Sequence, residues 1–225
     1  MFWSAIALVV TTSISFIFTR QIFHFLLRPS GGIKPVFIEV TEMVGTYFRV
    51  AFLSGIALAL PVIIYELVLF ISPGLTPKER RFLFWLLPGA FLLFIAGALF
   101  SYFILLPPAM HVLLTFGSDI AEPQIRIGNY ISVITRLMFW SGLIFEMPLV
   151  SFFLAKIGIV TYDTLSRLRR WAIVGAFVMA AIITPTFDPI NQTLMALPLI
   201  VLYEISIWIS KLAAPRQGKE KRRKG

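Results

Sequence analysis

Residues 1 to 19, MFWSAIALVVTTSISFIFT, carry apolar and hydroxylic side chains and no charge. As a helix, such a run approaches the ~20 residues needed to cross a hydrocarbon core. Comparable runs recur at about 45–70, 82–106, 129–154, 168–184 and 191–210. This recurrence constrains the fold most. In lipid every backbone polar group must be satisfied internally, which leaves helices or closed barrels. The runs are continuous and do not alternate, so a barrel is disfavoured. The expected fold class is all-α: a polytopic membrane protein with six transmembrane helices in one integral domain, residues 1–225. A hydrophobic fraction of 58% excludes an ordinary soluble domain of this length.

Composition narrows the chemistry. There is no cysteine, so disulfides and thiolate chemistry are excluded. His24 and His111 lie far apart and not in a metal-ligand spacing. No phosphate-cradling glycine loop, zinc motif or nucleophile elbow is present. The expectation is a protein that is not an enzyme, with no catalytic residues, cofactor or metal. Any energy it uses must come from a gradient or from partners. Much of the net charge of +9 sits in the tail 211–225, after the last apolar run. That is the place of a cytoplasmic anchor contacting the lipid bilayer, not of a nucleic-acid site.

Lys and Arg set the orientation. With six spans and the tail inside, fourteen basic residues fall on the inner side and four on the outer, and Arg49 and Arg136 are intramembrane. Both termini are therefore expected in the cytoplasm. The first run has no basic residue before it, unlike a secretory signal. Arg20 to Val44 reads as a loop, with Glu39 to Val44 as a short amphipathic surface helix. The third span is expected to end at Pro107-Pro108. The fifth holds only fourteen residues, Trp171 to Thr184, between Arg170 and Pro185. That is about 21 Å of helix, against a core of about 30 Å. A spanning hairpin with the sixth segment and a re-entrant pair both fit. Basic flanks at both outer ends favour the spanning hairpin.

Ser72 to Arg81 is the polar interruption between the second and third spans. Thr76 suits a helix cap, Pro77 the first helical position, and Glu79 completes a capping box. Glu79 therefore either caps its own helix or pairs with guanidinium groups, whose planar fork fits a carboxylate. Four charged residues stand in or near spans: Arg49, Glu66, Arg136 and Glu146. Glu146 lies ten residues before Lys156, hence roughly 15 Å from the cytoplasmic edge. A carboxylate there needs a proton, a partner or a wet cavity. Its structural alternative is a bundle partner such as Arg136. The functional alternative is polar glue for a partner's transmembrane helix. Asp188, before Pro189, reads as a helix cap. Thr161 is another cap, Arg167, Arg169 and Arg170 are topology anchors, and Glu204 snorkels.

Several stretches together resemble the TatC family, the multispanning receptor of the twin-arginine protein translocase. They are Leu60-Pro61-Val62-Ile63-Ile64-Tyr65-Glu66, Phe70-Ile71-Ser72-Pro73-Gly74-Leu75 and Lys78-Glu79-Arg80-Arg81. Phe145-Glu146-Met147-Pro148, Arg170 with Val174-Gly175-Ala176-Phe177, and Thr184-Pro185 with Asp188 and Asn191-Gln192-Thr193 follow in order. The resemblance implies six helices in a concave, cupped bundle with the last two short. It implies a bacterial cytoplasmic (inner) membrane, twin-arginine signal peptides bound at the cytoplasmic face, and partners of the TatA and TatB type. It also implies export of folded proteins on the proton gradient, and self-association is compatible with it. The signal-peptide site would comprise Phe70, Pro73, Leu75, Lys78, Glu79, Arg80 and Arg81. Glu146, Gln192, Arg136 and Glu66 would be the intramembrane polar and partner-contacting set. Pro29 and Asp188 would lie on the periplasmic side. Members usually begin with a cytoplasmic Glu-Leu-Arg-x-Arg segment, whereas this sequence opens at Met1-Phe2-Trp3. Either an upstream start or the loss of half the usual site is expected. Two rivals remain: a proton-coupled small-solute transporter using Glu146, Arg136 and Glu66, and a membrane scaffold.

Overall fold

The computed structural model describes residues 2–30, 35–71, 77–115, 124–156, 158–184 and 189–213. The side chains of 2, 30, 68–71, 77–86, 114, 212 and 213 lie outside that description. Among the described residues the regular elements are helices, with one isolated bridge between Val36 and Arg126. They are α1 (Phe2–Leu27), α2 (Val40–Ile71), α3 (Pro77–Phe100), α4 (Leu106–Thr115), α5 (Ile127–Phe145), α6 (Met147–Lys156), α7 (Tyr162–Arg167), α8 (Arg169–Ile183) and α9 (Pro189–Ala213). Five segments are long and apolar enough to cross a membrane: Trp3–Leu27, Val40–Leu67, Leu87–Leu113, Ile127–Lys156 and Pro189–Lys211. α8, with 15 residues, covers about 22 Å and pairs with α9. The chain is a multi-pass helical membrane protein.

α5 supplies the centre. Ile127, Tyr130, Ile131, Ile134, Leu137, Ser141 and Ile144 are buried, at the three- and four-residue spacing of one helix face. α1 lies along α2, α3 along α5, and α9 against α6 and α8. Small and hydroxylic residues let these backbones approach: Thr11 donates from Oγ1 to the Gly55 carbonyl at 2.8 Å. The last carbonyls of α1 lack helical partners and are met from elsewhere. Tyr102 donates to Phe25 O at 2.9 Å and Tyr130 to Leu26 O at 3.2 Å.

Several expected boundaries move. α1 runs on to Leu27, past the charged Arg20, because Phe23 and Leu26 continue its buried face while Arg20 and His24 point outward. Glu39 to Val44 is not a separate surface helix. It is the lead-in and first turn of the 32-residue α2, and Glu42 reaches back to accept the Ile38 N–H at 3.1 Å. The third helix does not stop at Pro107-Pro108. A π-helical turn, Ser101–Leu105, follows α3, and the Leu106 N–H bonds back to Ser101 O. The wider turn leaves both prolines in the first turn of α4, where their missing N–H groups cost little. Thr161 caps α7 as expected, accepting the Thr164 N–H at 3.3 Å. α3 begins at Pro77, as the capping pattern predicts.

Candidate functional site

The fourth span breaks in the middle, and its sequence explains the break. Pro148 has no N–H to offer the carbonyl of Ile144. α5 therefore ends at Phe145, and the Glu146 N–H bonds to Leu143 O at 3.2 Å. The helix restarts as α6, with the Val150 N–H on Glu146 O at 2.9 Å. Glu146 sits at the joint, only 3% exposed. Neither carboxyl oxygen has a hydrogen-bond partner among the described residues. The carboxyl group lines a groove of about 500 Å³ that is otherwise almost wholly apolar. Leu60, Ile64 and Leu67 of α2, Leu87 of α3, and Met147 and Leu154 of α6 form its walls. Leu67 and Leu87 place the groove toward the end of the bundle where residues 72–76 join α2 to α3.

The α3–α5 seam fixes this joint. A Cβ on Gly97 would stand 2.6 Å from Ser141 O, and one on Gly142 would stand 2.6 Å from the Phe94 ring. The two helices touch backbone to backbone one turn before Glu146. Chemically the groove suits an apolar helix or extended segment that brings a hydrogen-bond donor to the carboxyl group.

The other expected residues separate. Arg136 is not the partner of Glu146. It is exposed and lines a different cleft, with Arg49. The two residues lie about 80° apart around the helix, which puts them on different faces. Glu66 does not face the groove either. It accepts the Trp3 N–H at 3.1 Å and the Ser4 hydroxyl at 2.6 Å, satisfying the first turn of α1. Gln192 donates from Nε2 to Phe177 O at 3.1 Å, tying α9 to α8. Pro29 lies half-buried in the 3-10 turn Arg28–Ser30. Glu204 pairs with Arg169 at 3.0 Å across α9 and α8, so Arg169, expected only as a topology anchor, also makes a structural contact. Phe70, Lys78, Glu79, Arg80 and Arg81 belong to α2 and α3 by backbone, but their side chains lie outside the described residues. Pro73, Leu75 and Asp188 lie outside them entirely.

One cluster has no place in the sequence reading. Glu42 accepts the Gly128 N–H at 3.0 Å and pairs with Arg126 at 3.3 Å, and Arg126 also reaches Glu39 at 3.2 Å. The hydrogen bond that Arg126 donates to Glu42, and then the Glu42 charge, push the Arg126 guanidinium above its ordinary pKa. The signal available in sequence was an acid in the first turn of a helix, which the helix dipole favours.

Comparison with known proteins places this geometry. Residues 1–198 match the family model described as Sec-independent protein translocase protein (TatC). The TatC protein of Carboxydothermus hydrogenoformans is 40% identical over 216 residues, covering 95% of this chain and 89% of that protein. That of Aquifex aeolicus is 40% identical over 223 residues, covering 96% and 92%. A crystal structure of a twin arginine translocase receptor, TatC, superposes with a TM-score of 0.80 at 39% identity, covering 94% of this chain and 95% of the other. The agreement extends over nearly the whole length in both sequence and fold, and the chain belongs to the TatC family of Sec-independent protein translocase proteins.

Proposed function

We propose that the chain is the receptor core of a twin-arginine translocase. It binds twin-arginine signal peptides at its cytoplasmic face and gathers single-span partners of the TatA and TatB type. It acts in the bacterial inner membrane, with both termini cytoplasmic, by binding and assembly without covalent chemistry, and the proton gradient drives export of the folded cargo. The observation that carries this reading is the groove at Glu146. It is an apolar groove with one buried carboxyl group that has no hydrogen-bond partner among the described residues, walled by Leu67 of α2 and Leu87 of α3, the helices that flank the family's signal-peptide motif. Twin-arginine guanidinium groups would meet Glu79, with Leu75, Phe70 and Pro73 forming an apolar rim and Lys78, Arg80 and Arg81 beside it. An exposed ion pair contributes at most about 1 kcal/mol. Affinity therefore also requires the apolar part of the signal peptide to occupy the groove. Asp188 and Pro29 belong to the periplasmic end, and Gln192 to the partner-contacting region.

The transporter reading needs Glu146, Arg136 and Glu66 on one path, and among the described residues they face three different places. The test is export of a folded reporter carrying a twin-arginine signal. Glu79→Lys and Glu146→Ala together should abolish it. Intact export by the double variant would remove the receptor mechanism.

A further inference from the structure

Arg49 of α2 and Arg136 of α5 line one surface cleft of about 370 Å³, with Phe52, Ser132, Phe139 and Trp140. Each arginine stands nine residues after the first residue of its helix, Val40 or Ile127. That is about 14 Å along each axis. The two helix starts are tied together by the Gly128 N–H on Glu42 and by the Val36–Arg126 bridge. Both guanidinium groups therefore leave the backbone at one depth. Neither has an ion-pair partner among the described residues. The carboxylates of Glu39 and Glu42 are engaged by Arg126, and among the described residues no acidic side chain lines the cleft.

Two like charges side by side at the edge of hydrocarbon repel each other, and each is costly to desolvate. An anion held between them removes both costs. We propose that this cleft binds the phosphate of an anionic phospholipid, drawn from the leaflet on the Val36–Arg126 side. The long arginine stems lie along apolar wall while their heads reach toward headgroup level. Two guanidinium forks match phosphate oxygens bidentately. Phe52, Phe139 and Trp140 give the acyl chain an apolar, aromatic wall, with an indole suited to the interface. A partner helix fits less well. An apolar helix brings no charge to neutralise two guanidinium groups.

The test uses the full chain in detergent, titrated with phosphatidylglycerol or phosphatidylcholine and read by native mass spectrometry. One phosphatidylglycerol should be held in preference to phosphatidylcholine. Arg49→Gln and Arg136→Gln should each weaken it about tenfold, and Arg49→Lys and Arg136→Lys by less. Arg170→Gln, an exposed arginine remote in sequence, should change nothing. Undiminished binding by the double Gln variant, or equal loss in Arg170→Gln, overturns the site. Displacement of the lipid by millimolar inorganic phosphate would make free phosphate the ligand and overturn the lipid assignment. So would a double variant that keeps the lipid but loses a co-purifying single-span protein. If the Gln variants do not stay monodisperse, brominated phosphatidylglycerol provides a second reading. It should quench Trp fluorescence more than brominated phosphatidylcholine, and the excess should vanish in Trp140→Phe. Equal quenching by both lipids overturns the proposal.

Discussion

Glu42 and Glu146 are both glutamates in long apolar helices, and their surroundings are opposite. Glu42, at the start of α2, accepts the N–H groups of Ile38 and Gly128 and pairs with Arg126. Glu146, at the α5–α6 joint, is buried with both carboxyl oxygens unbonded among the described residues. A buried polar group without a partner is destabilising, whereas a saturated one holds elements together. The contrast separates a carboxylate that builds the fold from one without a partner among the described residues, which the proposed function assigns to another molecule.

Substitutions that push the two apart, or bring them together, measure that contrast. Glu146→Ala should give the largest functional effect, with export of a twin-arginine reporter falling by orders of magnitude. Its thermal midpoint in detergent should stay level or rise, since no hydrogen bond among the described residues is lost. A large fall in that midpoint would make Glu146 a structural residue and end the distinction. Gly142→Val should cost about 1–3 kcal/mol, because a Cβ there meets the Phe94 ring at 2.6 Å. Equilibrium unfolding would read this, and export should fall with it as the joint at Glu146 shifts. Glu42→Ala should lower the midpoint by several degrees, since it removes one of the two carboxylate partners of Arg126 and orphans two backbone N–H groups at once. The signal-peptide affinity of protein that remains folded should be unchanged, and a binding defect without instability would contradict the assignment. The smallest effect is expected at the half-exposed Arg169–Glu204 pair, where Arg169→Gln should cost under about 1 kcal/mol.

Much of this was legible beforehand. The apolar runs announced the helices, Thr161 announced a cap, and Pro77 a helix start. Glu146 stood out because a charge ten residues inside a span needs an explanation. Its surroundings were not legible. Arg136 was a reasonable partner in a one-dimensional reading, yet it turns to the cleft shared with Arg49. Glu66 belongs to the intramembrane polar and partner-contacting set in that reading, yet it satisfies the first turn of α1. The π-helical turn before Pro107 has no simple pattern, because helix register there depends on what packs around Tyr102 and Leu105.

The sequence by itself determined that this chain is a helical multi-pass membrane protein of the TatC type. Apolar length and motif order are local properties that need no neighbours to be read. Only the tertiary structure decided which acid is paired and which has no partner among the described residues, and which arginines share a cleft. Those outcomes depend on how each helix is rotated and how deep it sits. Both are set by contacts such as the Gly97–Gly142 seam and the Glu42–Gly128 clasp, between residues distant in the chain.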